Sequence, residues 1–209
     1  MPTELTAYIE KGESVRQIFL PKTESYNEIA QLMVAFANSE GGSLWIGLKK
    51  NGKIIGCDPN EELLKLQESA KSFCMPEIKF TSKIWKEGFR LVFEIKVSEA
   101  ATKPYKSKDS VGKWIPFIRV QKEVLLANKI LVGFWALKKN PVAKPTHLQI
   151  ELTALLQLIK EEQIVTLSKL YRLSDSPLKE VDRLLILLIS WEMVDMVMNS
   201  DTTQYQMRK

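Results

Sequence analysis

Pro141 and Pro145 stand within one short run, Asn140-Pro141-Val142-Ala143-Lys144-Pro145, and nothing else in the sequence limits the fold as much. A proline has no amide proton and a fixed φ, so neither a helix nor a sheet is expected to run through this stretch. The 209 residues are therefore expected to form two domains, 1–139 and 147–209, with 140–146 as linker. That division suits a chain somewhat longer than the roughly 150 residues of one typical domain.

The patterns on the two sides of the linker differ. Before it, Glu4 to Glu10 reads as a short helix and Val15 to Leu20 as a strand closed by Pro21. Ile29, Leu32, Met33 and Phe36 recur at helical spacing, so Ser25 to Ser39 is a helix capped by Thr23 or Ser25 and stopped by Gly41-Gly42. Ser43 to Leu48 and Lys53 to Gly56 flank an Asn51-Gly52 turn. Asp58-Pro59 opens a helix that runs to about Phe73. Ile78 to Trp85 and Phe89 to Val97 form a second hairpin around Glu87-Gly88. A polar loop from Ser98 to Lys113, a strand from Ile115 to Val120 and a helix capped by Asn128 complete the first half. After the linker, three helices (Leu148 to Lys160, Leu167 to Leu173, Leu178 to Ser190) precede a hairpin of Met193 to Met198 and Gln204 to Met207. That order is expected of a winged helix-turn-helix domain.

Composition excludes several classes. Apolar residues make up 45% and charged residues 26%, values ordinary for a folded chain. The longest apolar run, Leu184 to Ile189, is far short of the ~18 residues a membrane span needs. The N-terminus has no apolar segment of the secretory kind, so a cytoplasmic protein is expected. Cys57 and Cys74 share no CxxC spacing and are expected as reduced thiols. His147 is the only histidine and lies just past the linker, so neither a Cys/His metal site nor a His-based triad is expected.

The net charge of +5 is uneven. Residues 1–140 hold 22 Lys+Arg against 16 Asp+Glu, and residues 141–209 hold 8 against 9. The stretch 83–122 alone carries ten bases and four acids. Such an excess favours anionic partners, nucleic acid first.

The most specific string is Ala35-Phe36-Ala37-Asn38-Ser39-Glu40-Gly41-Gly42-Ser43-Leu44-Trp45-Ile46-Gly47-Leu48, followed by Asn51-Gly52-Lys53-Ile54-Ile55-Gly56. It closely resembles the core of the Schlafen family's AlbA-like DNA-binding domain. Gly12-Glu13-Ser14, Pro76-Glu77-Ile78, Lys103-Pro104-Tyr105 and Ile118-Arg119-Val120 resemble further landmarks of that family, in order. The resemblance spans about residues 10–139, and the Ala127-Asn128 start of the next helix resembles the form found in Bacteroidota-type bacterial members. It implies an α+β fold: a mixed β-sheet domain with flanking helices, followed here by the small winged helix.

Some relatives cleave RNA with three clustered carboxylates. Here Glu13 matches the first, Ile18 stands at the second, and Lys49 or Lys50 at the third. One carboxylate beside lysines is poorly suited to magnesium and better suited to phosphate. No GxxxxGK[ST] is present, so ATP is not expected. The expectation is binding without catalysis, with no cofactor and no metal. A metal-dependent endoribonuclease completed by Glu10, Glu24 or Glu28 is the alternative, and a protein-interaction scaffold is a further one.

Arg119 is the first candidate contact to nucleic acid, because Ile118 and Val120 beside it place it on one defined side of a strand. Lys103, Tyr105, Lys106 and Lys108 form a basic loop with one aromatic, a pattern suited to holding phosphates and stacking on a base. Lys49, Lys50 and Lys53 flank the first turn, and Lys113 precedes Trp114. Gly41 and Gly42 are expected to let backbone amides approach a phosphate. Trp45, Trp85, Trp114 and Trp135 are expected as core or interface residues rather than stacking platforms, with Trp114 beside Lys113 the one to test. DNA is expected ahead of RNA, with transcription regulation as the role.

In the second domain, the helix from Leu178 carries Lys179 and Arg183 against Glu180 and Asp182, a weak set for reading a major groove. Arg208, Lys209 and the Asn199-Ser200-Asp201 tip leave a DNA-binding alternative open. That helix and Leu148 to Lys160 are apolar on more than one face. A domain of this size cannot cover them alone, so they are expected against the first domain or in a homodimer interface.

Overall fold

The computed structural model describes residues 4–109 and 111–208. Lys209 lies outside them. The chain forms two compact units, Met1–Leu126 and Ala127–Lys209.

In the first unit, α1 (Glu4–Glu10), β1 (Gln17–Leu20), α2 (Tyr26–Asn38), β2 (Gly42–Ile46) and α3 (Pro59–Ser72) precede the two-residue strand β3 (Cys74–Met75). The hairpin β4 (Phe80–Glu87) and β5 (Arg90–Val97) follows, then β6 (Lys106–Lys108), β7 (Trp114–Ile115), β8 (Phe117–Val120) and β9 (Glu123–Leu126). The main sheet has the order β1-β2-β5-β4, with β1 and β2 parallel and the other pairs antiparallel. It is the mixed sheet that the resemblance implies.

Side-chain alternation gives this sheet two covered faces. Leu44 and Ile46 from β2 with Phe93, Ile95 and Val97 from β5 pack with Ile29, Met33 and Phe36 of α2. Phe19, Trp45, Trp85 and Val92 form a second cluster with Leu5, and Tyr8 of α1 packs against it. Trp45, Trp85 and, in the other unit, Trp135 are core residues as expected. Ser25 caps α2 through the Glu28 amide, and Asp58 caps α3 through the amides of Asn60 and Glu61. Cys57 and Cys74 are free. Burial pushes the Cys57 thiol up to about 11 and the Cys74 thiol up to about 12.

The second unit starts earlier than the prolines suggest. It comprises α4 (Lys129–Lys139), α5 (Ile150–Glu162), β10 (Ile164–Thr166), α6 (Leu167–Leu173), α7 (Leu178–Ser190), β11 (Val194–Met198) and β12 (Thr203–Met207). Its sheet has the order β10-β12-β11. The expected boundary at 139 is displaced because α4 packs against α7: a Cβ on Gly133 would lie 2.3 Å from Cδ1 of Ile186. Ile130 is buried in this core, and Phe134 and Leu137 pack against it. Most apolar residues of α7 expected against another domain or a second subunit are thus covered inside the unit, while Leu178 stays exposed and Ile186 half-buried. Leu187 and Ile189 are buried together with Val181, Leu184, Leu185 and Leu188.

Candidate nucleic-acid interface

The glycine-rich turn between α2 and β2 is a packing device. Gly41 has φ +72°, and its amide donates to the Phe36 carbonyl at 3.0 Å. A Cβ there would sit 2.8 Å from the Val97 carbonyl oxygen. At Gly42 a Cβ would meet the Phe36 ring at 2.3 Å and the Arg16 carbonyl oxygen at 2.7 Å. The turn closes on its own protein, so the expected approach of these amides to a phosphate is not what the geometry offers. Asn38, just upstream, is a strut that the sequence reading did not single out. Its Nδ2 donates to the carbonyls of Tyr105 and Phe117 at 2.8 Å each, and its Oδ1 accepts from the Tyr105 amide at 2.8 Å.

Arg119 is a second correction. It is only 7% exposed. Its Nη2 donates to the Ser14 carbonyl at 2.9 Å, its Nη1 to the Lys122 carbonyl at 2.7 Å, and its Nε to the Val15 carbonyl at 3.4 Å. All of β8 is buried, so neither side of the strand faces water. Burial lowers the guanidinium pKa, and the charge of Glu13 opposes that shift. The side chain ties the N-terminal segment to the β8–β9 hairpin and has no face left for a ligand. Glu94 on β5 accepts from Ser43 Oγ and Trp85 Nε1, each at 2.9 Å.

The basic loop is partly committed as well. Lys103 Nζ pairs with Glu99 at 2.7 Å and donates to the Ser39 carbonyl at 3.3 Å. Tyr105 is half-buried against the main core and is no open stacking platform. Lys106 and Lys108 lie on β6, the middle strand of the sheet β3-β6-β7. Lys108 Nζ stands 5.2 Å from the Trp114 ring and 5.6 Å from the Phe73 ring. Lys113 is exposed in the turn before β7, its amide held by Asp109. Lys106, Lys108, Lys113 and Trp114 are therefore brought together on one small sheet.

Lys49, Lys50 and Lys53 form a different group. Each is exposed, and among the described residues none has an acidic partner within 4.0 Å. The turn that carries them closes by the amide of Lys49 on the Lys53 carbonyl at 3.0 Å and by a Leu48–Ile54 bridge. The next residues run beside the start of β5. Arg90 Nη1 donates to the Ile54 carbonyl at 2.6 Å, and the Cys57 amide donates to the Leu91 carbonyl at 2.9 Å. The two turns therefore meet. Residues 49–53 and 86–90 together hold five cations (Lys49, Lys50, Lys53, Lys86, Arg90) and one carboxylate, Glu87. Phe89 stands at the tip of the second turn and is 90% exposed. The sequence reading missed Phe89 and Arg90 as site residues. Glu87-Gly88 announced the turn, but only the fold shows that nothing covers the ring.

The carboxylates do not assemble. Glu13 Oε1 accepts from the Phe19 amide at 3.0 Å, and Ile18 is a core residue. Among the described residues, no group of three or more His, Cys, Asp or Glu side chains lies together in a way that could hold a metal ion.

In the second unit Arg183, Lys129 and Arg208 are paired, while Lys179 of α7 is exposed with no acidic partner within 4.0 Å among the described residues. Arg183 Nη2 reaches Glu180 at 2.5 Å with its Nε on the other oxygen at 2.9 Å, and Lys129 reaches Asp182 at 2.7 Å. Tyr171 also donates to Asp182. At the end of the hairpin, Arg208 pairs with Glu192 at 3.1 Å.

The sequence model of the family described as Schlafen, AlbA_2 matches residues 4–128, ending close to the end of the first compact unit at Leu126. None of the curated proteins compared with the chain matches it. Among solved structures, the DIP2311 protein of Corynebacterium diphtheriae is 18% identical over 78% of this chain and 31% of its own, with a TM-score of 0.43. The N-terminal domain of a RecG-related protein from Nitrosomonas europaea is 17% identical over 71% of this chain and 99% of its own, with a TM-score of 0.44. The match thus spans about a third of the first protein. No helix among the described residues is long and apolar enough to cross a membrane.

Proposed function

This chain belongs to the Schlafen, AlbA_2 family, and from that premise we propose that it is a nucleic-acid-binding protein that holds the phosphate backbone with the basic turns of its first unit. The observation that carries this reading is the unpaired set Lys49, Lys50 and Lys53, joined through Arg90 to the β4–β5 turn. Flexible lysines with no acidic partner are free to displace counterions from a polyanion. Lys106, Lys108 and Lys113 extend the basic surface of the same unit. The activity is binding without cleavage: the Glu13 carboxylate is engaged by a backbone amide, and Ile18 and Lys49 or Lys50 stand where the resemblance places two further carboxylates.

After α4, the second unit has the element order helix, strand, two helices and a hairpin, which supports a winged helix and with it a role in regulating transcription on DNA. Its α7 is packed by α4, and Arg183 and Lys129 beside it are held by carboxylates, so this reading gives phosphate contact to the first unit.

The test is fluorescence anisotropy of the full chain with labelled single-stranded DNA, duplex DNA and RNA across a salt series. The expected result is binding whose log–log salt slope is about −3 to −5, with probes left intact in magnesium. Absence of binding to every probe at low salt, or cleavage of the probes, would overturn the reading.

A further inference from the structure

Phe89 has no structural employment. It occupies the second central position of the β4–β5 turn, whose strands close at the Glu87–Arg90 pair. Gly88, the first central position, has φ +60°, the conformation a two-residue hairpin with glycine first requires. A Cβ on Gly88 would meet nothing within 4 Å, so the tip stands in open space. The ring itself is 90% exposed, the highest value among the exposed large apolar residues described. Position 89 of a solvated turn asks for a polar residue, and the fold gains nothing from an aromatic there.

Its surroundings are cationic. The Arg90 guanidinium lies 5.5 Å from the ring centroid and is pinned by the Ile54 carbonyl at 2.6 Å. Through that hydrogen bond the tip is anchored to the turn bearing Lys49, Lys50 and Lys53, and Lys86 is exposed on β4. An open aromatic face beside fixed and mobile cations matches one chemistry: a base stacks on the ring while the flanking phosphates meet the cations.

Resting on the nucleic-acid reading above, we propose that Phe89 is a base-stacking residue and that the site selects nucleic acid with unpaired bases over intact duplex. In a duplex the base faces are already stacked on one another and cannot meet the ring. The Arg90 guanidinium, held in place, supports one side of the ring and adds a cation to the adjoining phosphate.

The experiment titrates the full chain into a fluorescein-labelled single-stranded DNA of mixed sequence, its duplex, and anionic phospholipid vesicles. It compares wild type with Phe89→Ala, Phe89→Trp and the triple Lys49→Gln/Lys50→Gln/Lys53→Gln. Position 89 is exposed, so thermal melting of its variants is expected to match wild type. Phe89→Ala is expected to weaken single-strand binding about tenfold, the scale of one lost base–aromatic stack, with the salt slope unchanged because no charge is removed. Phe89→Trp is expected to restore it, and duplex affinity to move less than twofold. The lysine triple flattens the slope instead. Phe89→Ala binding single strands like wild type, or losing duplex and single strand equally, would overturn the stacking proposal while the broader reading stands. Wild type that ignores every oligonucleotide would remove both, and Phe89-dependent capture by the vesicles in that case would assign the tip to a membrane surface.

Discussion

The turn at residues 49–53 of the first unit and the helix α7 of the second keep their cations in different ways. With α4 in the second unit, the first holds 19 Lys+Arg against 16 Asp+Glu and the second 11 against 9. The net charges, +3 and +2, hardly differ. What differs is how these two segments hold theirs. Lys49, Lys50 and Lys53 sit on a turn with no carboxylate between residues 41 and 57, so no local acid competes for them. On α7 the helical repeat sets Glu180 three residues before Arg183, and the pair forms without help from the rest of the fold. The charge of a segment therefore says less about its availability to an anion than its local pairing does.

Arg119 sharpens the contrast, because it is a cation of the first unit that behaves like neither group. Its guanidinium satisfies three backbone carbonyls in a buried place. Removing it leaves those acceptors unpaired, which costs about 3 kcal/mol. Arg119→Ala is expected to lower the unfolding free energy measured in urea by that amount, and Arg119→Lys to recover less than half, since an ammonium has no fork. Nucleic-acid affinity of the surviving folded protein should be unchanged. A variant of wild-type stability with lost binding would return Arg119 to the interface and undo the distinction between structural and free cations.

Gly41 tests the same distinction at the turn first expected to meet phosphate. Gly41→Ala places a Cβ against the Val97 carbonyl at a positive φ. Strain and overpacking together are expected to cost roughly 2 to 3 kcal/mol. Equilibrium unfolding measures the loss, and oligonucleotide titration of the folded fraction is expected to show no matching change in affinity. A mild variant that lost binding selectively would mean the turn does face a ligand.

How far the sequence shows these features depends on what each one needs. The helices α2, α3 and α4 are legible because Ser25, Asp58 and Asn128 cap them and their apolar spacing repeats locally. The β4–β5 hairpin is legible from Glu87-Gly88. The strands β3, β9 and β10 are not. β3, for example, exists only because Cys74 and Met75 pair with Ser107 and Lys106, some thirty residues away. The orientation of Arg119 was misread because strand alternation assumes one wet face, and β8 has none. The proline pair shows where helix must stop, but not which unit α4 joins. That is decided by Gly133 against Ile186, a contact between residues far apart in sequence. The lysines of the candidate interface were legible as charges. Their freedom, and the bare ring of Phe89, belong to the tertiary structure.

The triple Lys49→Gln/Lys50→Gln/Lys53→Gln measures how much of the binding that freedom supports. Each lysine lost from a single-strand complex is expected to flatten the log–log salt slope by about 0.7, so the triple flattens it by about 2. Stability is expected to stay within about 0.5 kcal/mol of wild type, because the side chains are exposed and unpaired. An unchanged slope would shift the phosphate contacts to the β6–β7 group, where Lys106→Gln and Lys108→Gln would then flatten it.

The smallest effect is expected on the other side of the comparison, at Arg183. Its fork with Glu180 is half in solvent, and such an exposed pair contributes little to stability. Arg183→Gln should therefore barely move the melting temperature. It should also leave the salt slope on duplex DNA alone, because a guanidinium already held by two carboxylate oxygens has little affinity to offer a phosphate. Glu180→Gln asks the converse: it frees Arg183 without removing it. If α7 can reach a phosphate at all, that change should steepen the duplex slope by up to about 0.9. A steeper slope would make the pairing on α7 a restraint on binding. An unchanged slope would mean that α4, packed along α7, keeps the helix from the groove whatever its charge.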